Sequence, residues 1–173
     1  MLVFRLHFLV WFLVTPLFFY PARAAEEERD LVRFTLEEDT TKVAAMLGAP
    51  AQVGEAGPHH FFWYLQLNVV DDHDHSHILL FRKEDKRLVS VTREYREPEN
   101  VDSLFPVEES QTYYWQNGTH PRWPVRVRML SGNRVLVAMG VAGPGQRTNQ
   151  VLLIRRSALA GYLPWLQAQL KVE

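Results

Sequence analysis

Short apolar runs with a period of two recur along this chain, and they constrain it to build sheet. The clearest is FFWYLQLNVV, where Phe61, Trp63, Leu65, Leu67 and Val69 alternate onto one side. Aromatic and β-branched residues of this kind fit a pleated, half-buried surface. Ile78 to Phe81 and Leu88 to Tyr95 come next, separated by the polar turn KEDK. In the latter run Val89, Val91 and Tyr95 are expected on one face. Further on, QTYYWQ, PVRVRML, RVLVAMG and QVLLIRR repeat the pattern. In the second of these, Val125, Val127 and Met129 face one way and Arg126 and Arg128 the other. SGN, Ser131 to Asn133, is a turn between the second and third.

Helical signals are fewer. In DTTKVAAMLGAP, Asp39 can accept hydrogen bonds from the first free N–H groups of a helix. Val43, Met46 and Leu47 share a helical face, Gly48 can close the helix with positive φ, and Pro50 prevents continuation. The pattern predicts a helix from about Thr40 to Leu47. AQVGEAGPHH reads as a loop through its Gly and Pro content. The strand phase places Trp63 between this helix and the sheet, against Val43 and Leu47, with Tyr64 on the opposite side. Near the end, Leu159, Leu163, Leu166 and Leu170 lie close to one helical face with Ser157 as N-cap, and Pro164 marks a kink or a late start.

The expected fold class is α+β: a short helix packed on a three-stranded antiparallel meander, then a second strand-rich segment with a C-terminal helix. Residues 98–112, with charge, two prolines and no period, read as a linker. It separates a helix-plus-meander domain over 25–97 from the strand-rich segment over 113–173. Residues 1–24 read as a signal peptide. An apolar run from Phe8 to Tyr20 is followed by Ala22, Arg23 and Ala24, small residues at both positions that a signal peptidase reads. The run is shorter than the roughly 20 residues that span a bilayer. A cleaved signal predicts a periplasmic or secreted protein with no transmembrane span in the mature chain.

Composition narrows the partners. With 19 basic and 20 acidic residues the formal charge is −1, and losing Arg5 and Arg23 with the leader makes it more negative. That balance carries no electrostatic footprint for nucleic acid. The chain has no cysteine. This excludes disulfides, thiol nucleophiles, thiolate metal sites and a lipid-anchored lipoprotein terminus, and leaves the core to carry stability alone.

Residues about 35–96 carry the spacing Val43, Leu47, Gly48, Pro50, then Trp63–Tyr64, then an apolar strand ending in Phe81, a charged turn and RLVSV. This resembles the BamE/SmpA-OmlA type domain, similar in fold to the β-lactamase inhibitor protein. The resemblance implies helices on a three-stranded antiparallel sheet and an exported bacterial protein that binds another envelope protein. Outer-membrane assembly is the setting of that family's best-known members.

Two clusters carry candidate chemistry. His73, His75 and His77 occupy every second position, and alternate residues of a strand could hold one Zn²⁺ with His59, His60 or His120 as a third ligand. Against this, Asp71, Asp72 and Asp74 favour turns through their side-chain hydrogen bonds, and two strands must reverse here. The expected reading is a solvated hairpin, with the histidine site as the alternative. Ser76, between His75 and His77, points away from both and makes no nucleophile–base pair. Gly143 to Gln146 lacks the Lys-Ser/Thr of a phosphate loop. Asn117 to Thr119 is a glycosylation sequon in a host that glycosylates. Tyr113, Tyr114, Trp115 and Trp123 form an aromatic cluster of the kind that anchors protein interfaces when exposed. The leading expectation is thus an exported, non-catalytic protein-binding or envelope-assembly module with no cofactor and no catalytic residue. A periplasmic histidine-based metal-binding protein or hydrolase is the alternative.

Overall fold

The computed structural model describes residues 36–64, 75–116 and 121–170. Its period-two runs pair into one eight-stranded antiparallel sheet. In chain order the strands are β1 (Gln52–Ala56), β2 (His59–Tyr64), β3 (His75–Arg82), β4 (Leu88–Asn100), β5 (Ser110–Trp115), β6 (Trp123–Leu130), β7 (Arg134–Met139) and β8 (Arg147–Arg155). In space they run β1-β2-β3-β4-β8-β7-β6-β5. Each half is a four-stranded meander, and the two are joined at their last strands, where Val91 lies opposite Leu153.

This corrects the expected fold class. The helix does not sit on a separate three-stranded meander, and the later strands do not make a second segment with its own sheet. Strands dominate, and a single sheet is covered on both sides. On the first side Val43, Tyr64, Leu79, Phe81, Val91, Leu136 and Leu153 form one core. On the second, Leu80, Val127, Val135, Val137, Leu152, Ile154, Leu159, Leu166 and Leu170 form another. Adjacent residues such as Leu79 and Leu80 therefore enter different cores, so a doubly covered strand reads as a continuous apolar run rather than an alternation.

The helix α1 (Thr40–Leu47) covers the first face and has the expected bounds. The Asp39 carboxylate accepts from the Lys42 N–H at 2.8 Å. Gly48 has φ 78° and ψ −159°. That is a region only glycine occupies readily, rather than the left-handed helical well. The strand phase is corrected beside it. Tyr64, not Trp63, lies in the core with Val43 and Leu47, and its hydroxyl reaches the Gly48 carbonyl at 3.4 Å. Trp63 pairs with Ile78 on the second face.

Strand β1 lies in the stretch read as a loop. It tolerates Gly54 because the Phe61 ring lies across that position: a Cβ there would stand 2.5 Å from the ring. A bulge corrects the expected grouping in β4. Phe81 pairs with Leu88 while Leu80 pairs with Ser90, so Val89 turns to the second face and Val91 to the first. Pro98 falls within the other irregularity of β4, between Glu94 and Glu99.

The residues read as a linker are structural. β4 runs through 98–100, and the chain then crosses the first face with Val101 and Phe105 buried in its core. Two buried arginines of β6 hold this crossover down. Arg126 pairs with Asp102 at 3.5 Å. Arg128 pairs with Glu109 and donates to the Leu104 carbonyl at 3.0 Å. At the C-terminal end, a 3-10 turn over Arg156–Ala158 leads into α2 (Leu159–Tyr162) and α3 (Pro164–Leu170), which cover the second face. Ser157 caps neither helix; the N-cap of α2 is Ala158. Pro164 opens α3, where a missing N–H costs nothing.

Candidate functional site

The histidine segment is set by β3. This strand begins at His75 rather than Ile78, with His75 opposite Tyr95. His77 is fully buried, between Tyr64 on β2 and Arg93 on β4. It is a core residue of the first face, not part of a solvated turn. His73 and His120 lie outside the described residues. His59 and His60 are neighbours on β2, so their side chains leave opposite faces. His59 is buried on the second face beside Gly161, and that burial holds its imidazole below the usual pKa. Among the described residues no group of three His, Cys, Asp or Glu could hold a metal ion. The sequon and its neighbour at 117–120 also lie outside them.

The four aromatics do not form one patch. Tyr113 is buried in the second core, and its hydroxyl donates to Gln111 Oε1 at 2.6 Å. Trp115 packs against the same core and lies opposite Trp123 in the ladder. Tyr114 and Trp123 are the exposed pair, at 47% and 53%. Strand alternation sends them to opposite faces of one margin of the sheet, beside the terminal strand β5. The Trp123 indole rests against Gly140, whose positive φ turns the chain at the end of β7.

Tertiary pairing also builds a polar row that no local pattern signals. Ser76, Glu94 and Gln150 come from β3, β4 and β8 and lie in register on the second face. The Ser76 hydroxyl donates to Glu94 Oε2 at 3.2 Å, and Gln150 Nε2 donates to Oε1 at 3.3 Å. One step along β4, Thr92 lies near the Tyr162 phenol of α2. Burial pushes the Tyr162 pKa up, and the Glu94 charge adds to this, against a lowering by Thr92. The carboxylate is thus held by two neutral donors and has no imidazole beside it in the row. The arrangement suits hydrogen bonding more than nucleophilic chemistry.

Fold and site together define a class: an open, doubly covered antiparallel sheet with an aromatic margin. No family model matches this chain, and no curated protein does. Among solved structures it is similar to a cysteine-rich secretory protein from Staphylococcus aureus, with a TM-score of 0.50 and 9% identity. The match covers 75% of this chain and 46% of that protein, so the chain spans less than half of its length. At this identity the likeness concerns the fold alone. These findings overturn the resemblance to the BamE/SmpA-OmlA type domain. The spacing of Val43, Leu47, Gly48, Pro50, Trp63 and Tyr64 records a capped helix followed by a strand, which different folds share. Among the described residues no helix is long and apolar enough to cross a membrane.

Proposed function

We propose that this chain is an exported, non-catalytic module that binds another protein of the cell envelope. The observation that carries this reading is the exposure of Tyr114 and Trp123 at one sheet margin. Tyr and Trp bring large, rigid contact area and are the residues that dominate interface energetics. The leader-like run from Phe8 to Tyr20 with Ala22 and Ala24 supports export.

The test is cross-linking in intact envelopes with the full chain, followed by affinity measurement on the captured partner. Trp123→Ser and Tyr114→Ser should each weaken binding by about thirtyfold, the effect of losing a hot spot worth about 2 kcal/mol. Met129→Ser, exposed at the other end of β6, should leave it within about twofold, as a rim contact would. Equal affinity in all three variants would sink the aromatic-margin reading.

A further inference from the structure

The two edges of the sheet differ in a way that bears on self-association. A terminal strand presents unpaired N–H and C=O groups, and soluble proteins protect such edges with charge, proline, glycine or a bulge. β1 is protected: Gly54 interrupts it, and Glu55 is paired with Lys83 at 2.7 Å. β5, at the other end, is SQTYYW. It has no charge, no proline and no glycine, and its register with β6 is unbroken from Ser110 to Trp115.

Which of its backbone groups face outward is fixed by Pro124. Proline has no N–H to give, and the Pro124 carbonyl accepts from Gly140 N at 2.9 Å, so this residue turns its backbone toward β7. Tyr114 lies opposite Pro124. Its N–H and C=O must therefore point away from β6, to the open side. By the period of two, so do those of Thr112 and Ser110. The side chain of Gln169 on α3 agrees with this: its Nε2 donates to the Tyr114 carbonyl at 3.1 Å, a group that the β6 ladder does not use.

We propose that the β5 edge pairs with the β5 edge of a second copy of this chain. The pairing is antiparallel about a two-fold axis, with Thr112 opposite its own counterpart and Ser110 opposite Tyr114. Opposite residues of an antiparallel pair share a face, and this register keeps each copy's first face aligned. It sets Thr beside Thr and lays the Tyr114 ring over Ser110; the Thr112 and Ser110 hydroxyls keep their bonds to the Ala142 and Pro106 carbonyls, so the pairing rests on backbone groups. No charge on β5 meets itself across the axis. The flanking charges also match. Exposed Glu108 precedes the strand and exposed Arg122 lies past its far end, so a two-fold brings the acid of one copy toward the base of the other. An isologous contact of this kind closes on itself as a dimer. In the free chain Gln169 occupies a carbonyl that the second copy would take, which makes it an uncharged guard of the edge. The envelope-partner reading shares the Tyr114 side chain with this contact, so Trp123 on β6 tells the two apart: Trp123→Ser should weaken capture of an envelope partner and leave the dimer unchanged.

Sedimentation equilibrium of the full chain over a concentration series reads the dimer directly. Thr112→Pro deletes an outward N–H in both copies and leaves the β6 pairing alone; it should weaken dimerisation about tenfold or more. Glu108→Arg and Arg122→Glu should each weaken it, and the double exchange should restore it. Neither charge is buried, so these variants keep the reading testable where the proline variant unfolds. Gln169→Ala should strengthen the dimer by freeing the Tyr114 carbonyl. A chain that stays monomeric throughout overturns the proposal, as does a dimer indifferent to both Thr112→Pro and the charge exchange. A monomer whose capture of a different protein is abolished by Thr112→Pro also overturns it, in favour of a foreign strand at this edge.

Discussion

Phe105 decides whether the crossover between the two meanders is a linker or a structural strap. Its side chain is 1% exposed within the first core, while Val107, two residues on, is 61% exposed. A buried Phe removes about 150–250 Å² from water. At about 25 cal/mol per Å² that is about 4–6 kcal/mol. This is an upper bound, because the unfolded chain already buries some of that area. Truncations of buried Phe to Ala fall at about 3–5 kcal/mol, with the spread set by how far the site collapses. Phe105 is braced by Arg126 with Asp102 and Arg128 with Glu109 on either side, so little collapse is expected and the loss should lie in the upper half of that range. Urea unfolding followed by the fluorescence of Trp63, Trp115, Trp123 and Trp165 measures it. Phe105→Ala should lower the midpoint with an unchanged slope, whereas Val107→Ala should cost less than about 0.5 kcal/mol, as surface changes do. Losses under about 1 kcal/mol at Phe105, or two separate transitions in the wild type, would refute the strap and restore a two-part chain.

Gly48→Ala should cost about 1–3 kcal/mol from backbone strain alone, since nothing lies within 4 Å of the added Cβ; an unchanged thermal midpoint would show that the chain relaxes there. Gly54→Ala should cost about 1–3 kcal/mol, the range of overpacking, because the Phe61 ring must move. In a double-mutant cycle Phe61→Leu should relieve much of that loss, and strict additivity would contradict the contact. Burial holds the His59 pKa below its unfolded value, so the unfolded chain takes up the proton first. Its contribution to stability is therefore complete above about pH 6.5 and is lost as the pH falls from there toward the native pKa. His59→Gln should flatten the stability profile in that window, and an identical profile would exclude His59 as its source.

Local chemistry was enough to place α1, because its start and stop rest on Asp39 and Gly48 within a few bonds of the helix. It was also enough for most strands, whose period of two is a property of consecutive residues. It could not say which side of a strand meets which cover. With both faces of the sheet buried, Trp63 and Tyr64 carry equal apolar weight, and only the assembled sheet sends Tyr64 to α1. For the same reason His77 read as a turn residue and is core. β1 was hidden because Gly54 makes sense in a strand only once the Phe61 ring lies across it. The residues 98–112 looked like a linker because their anchors, Arg126 and Arg128, stand on a strand not yet reached in the chain. The row of Ser76, Glu94 and Gln150 depends on β4 finding β8, a pairing between residues about 60 apart. Such contacts arise from burying two faces at once and from closing long loops, neither of which any short stretch of sequence contains.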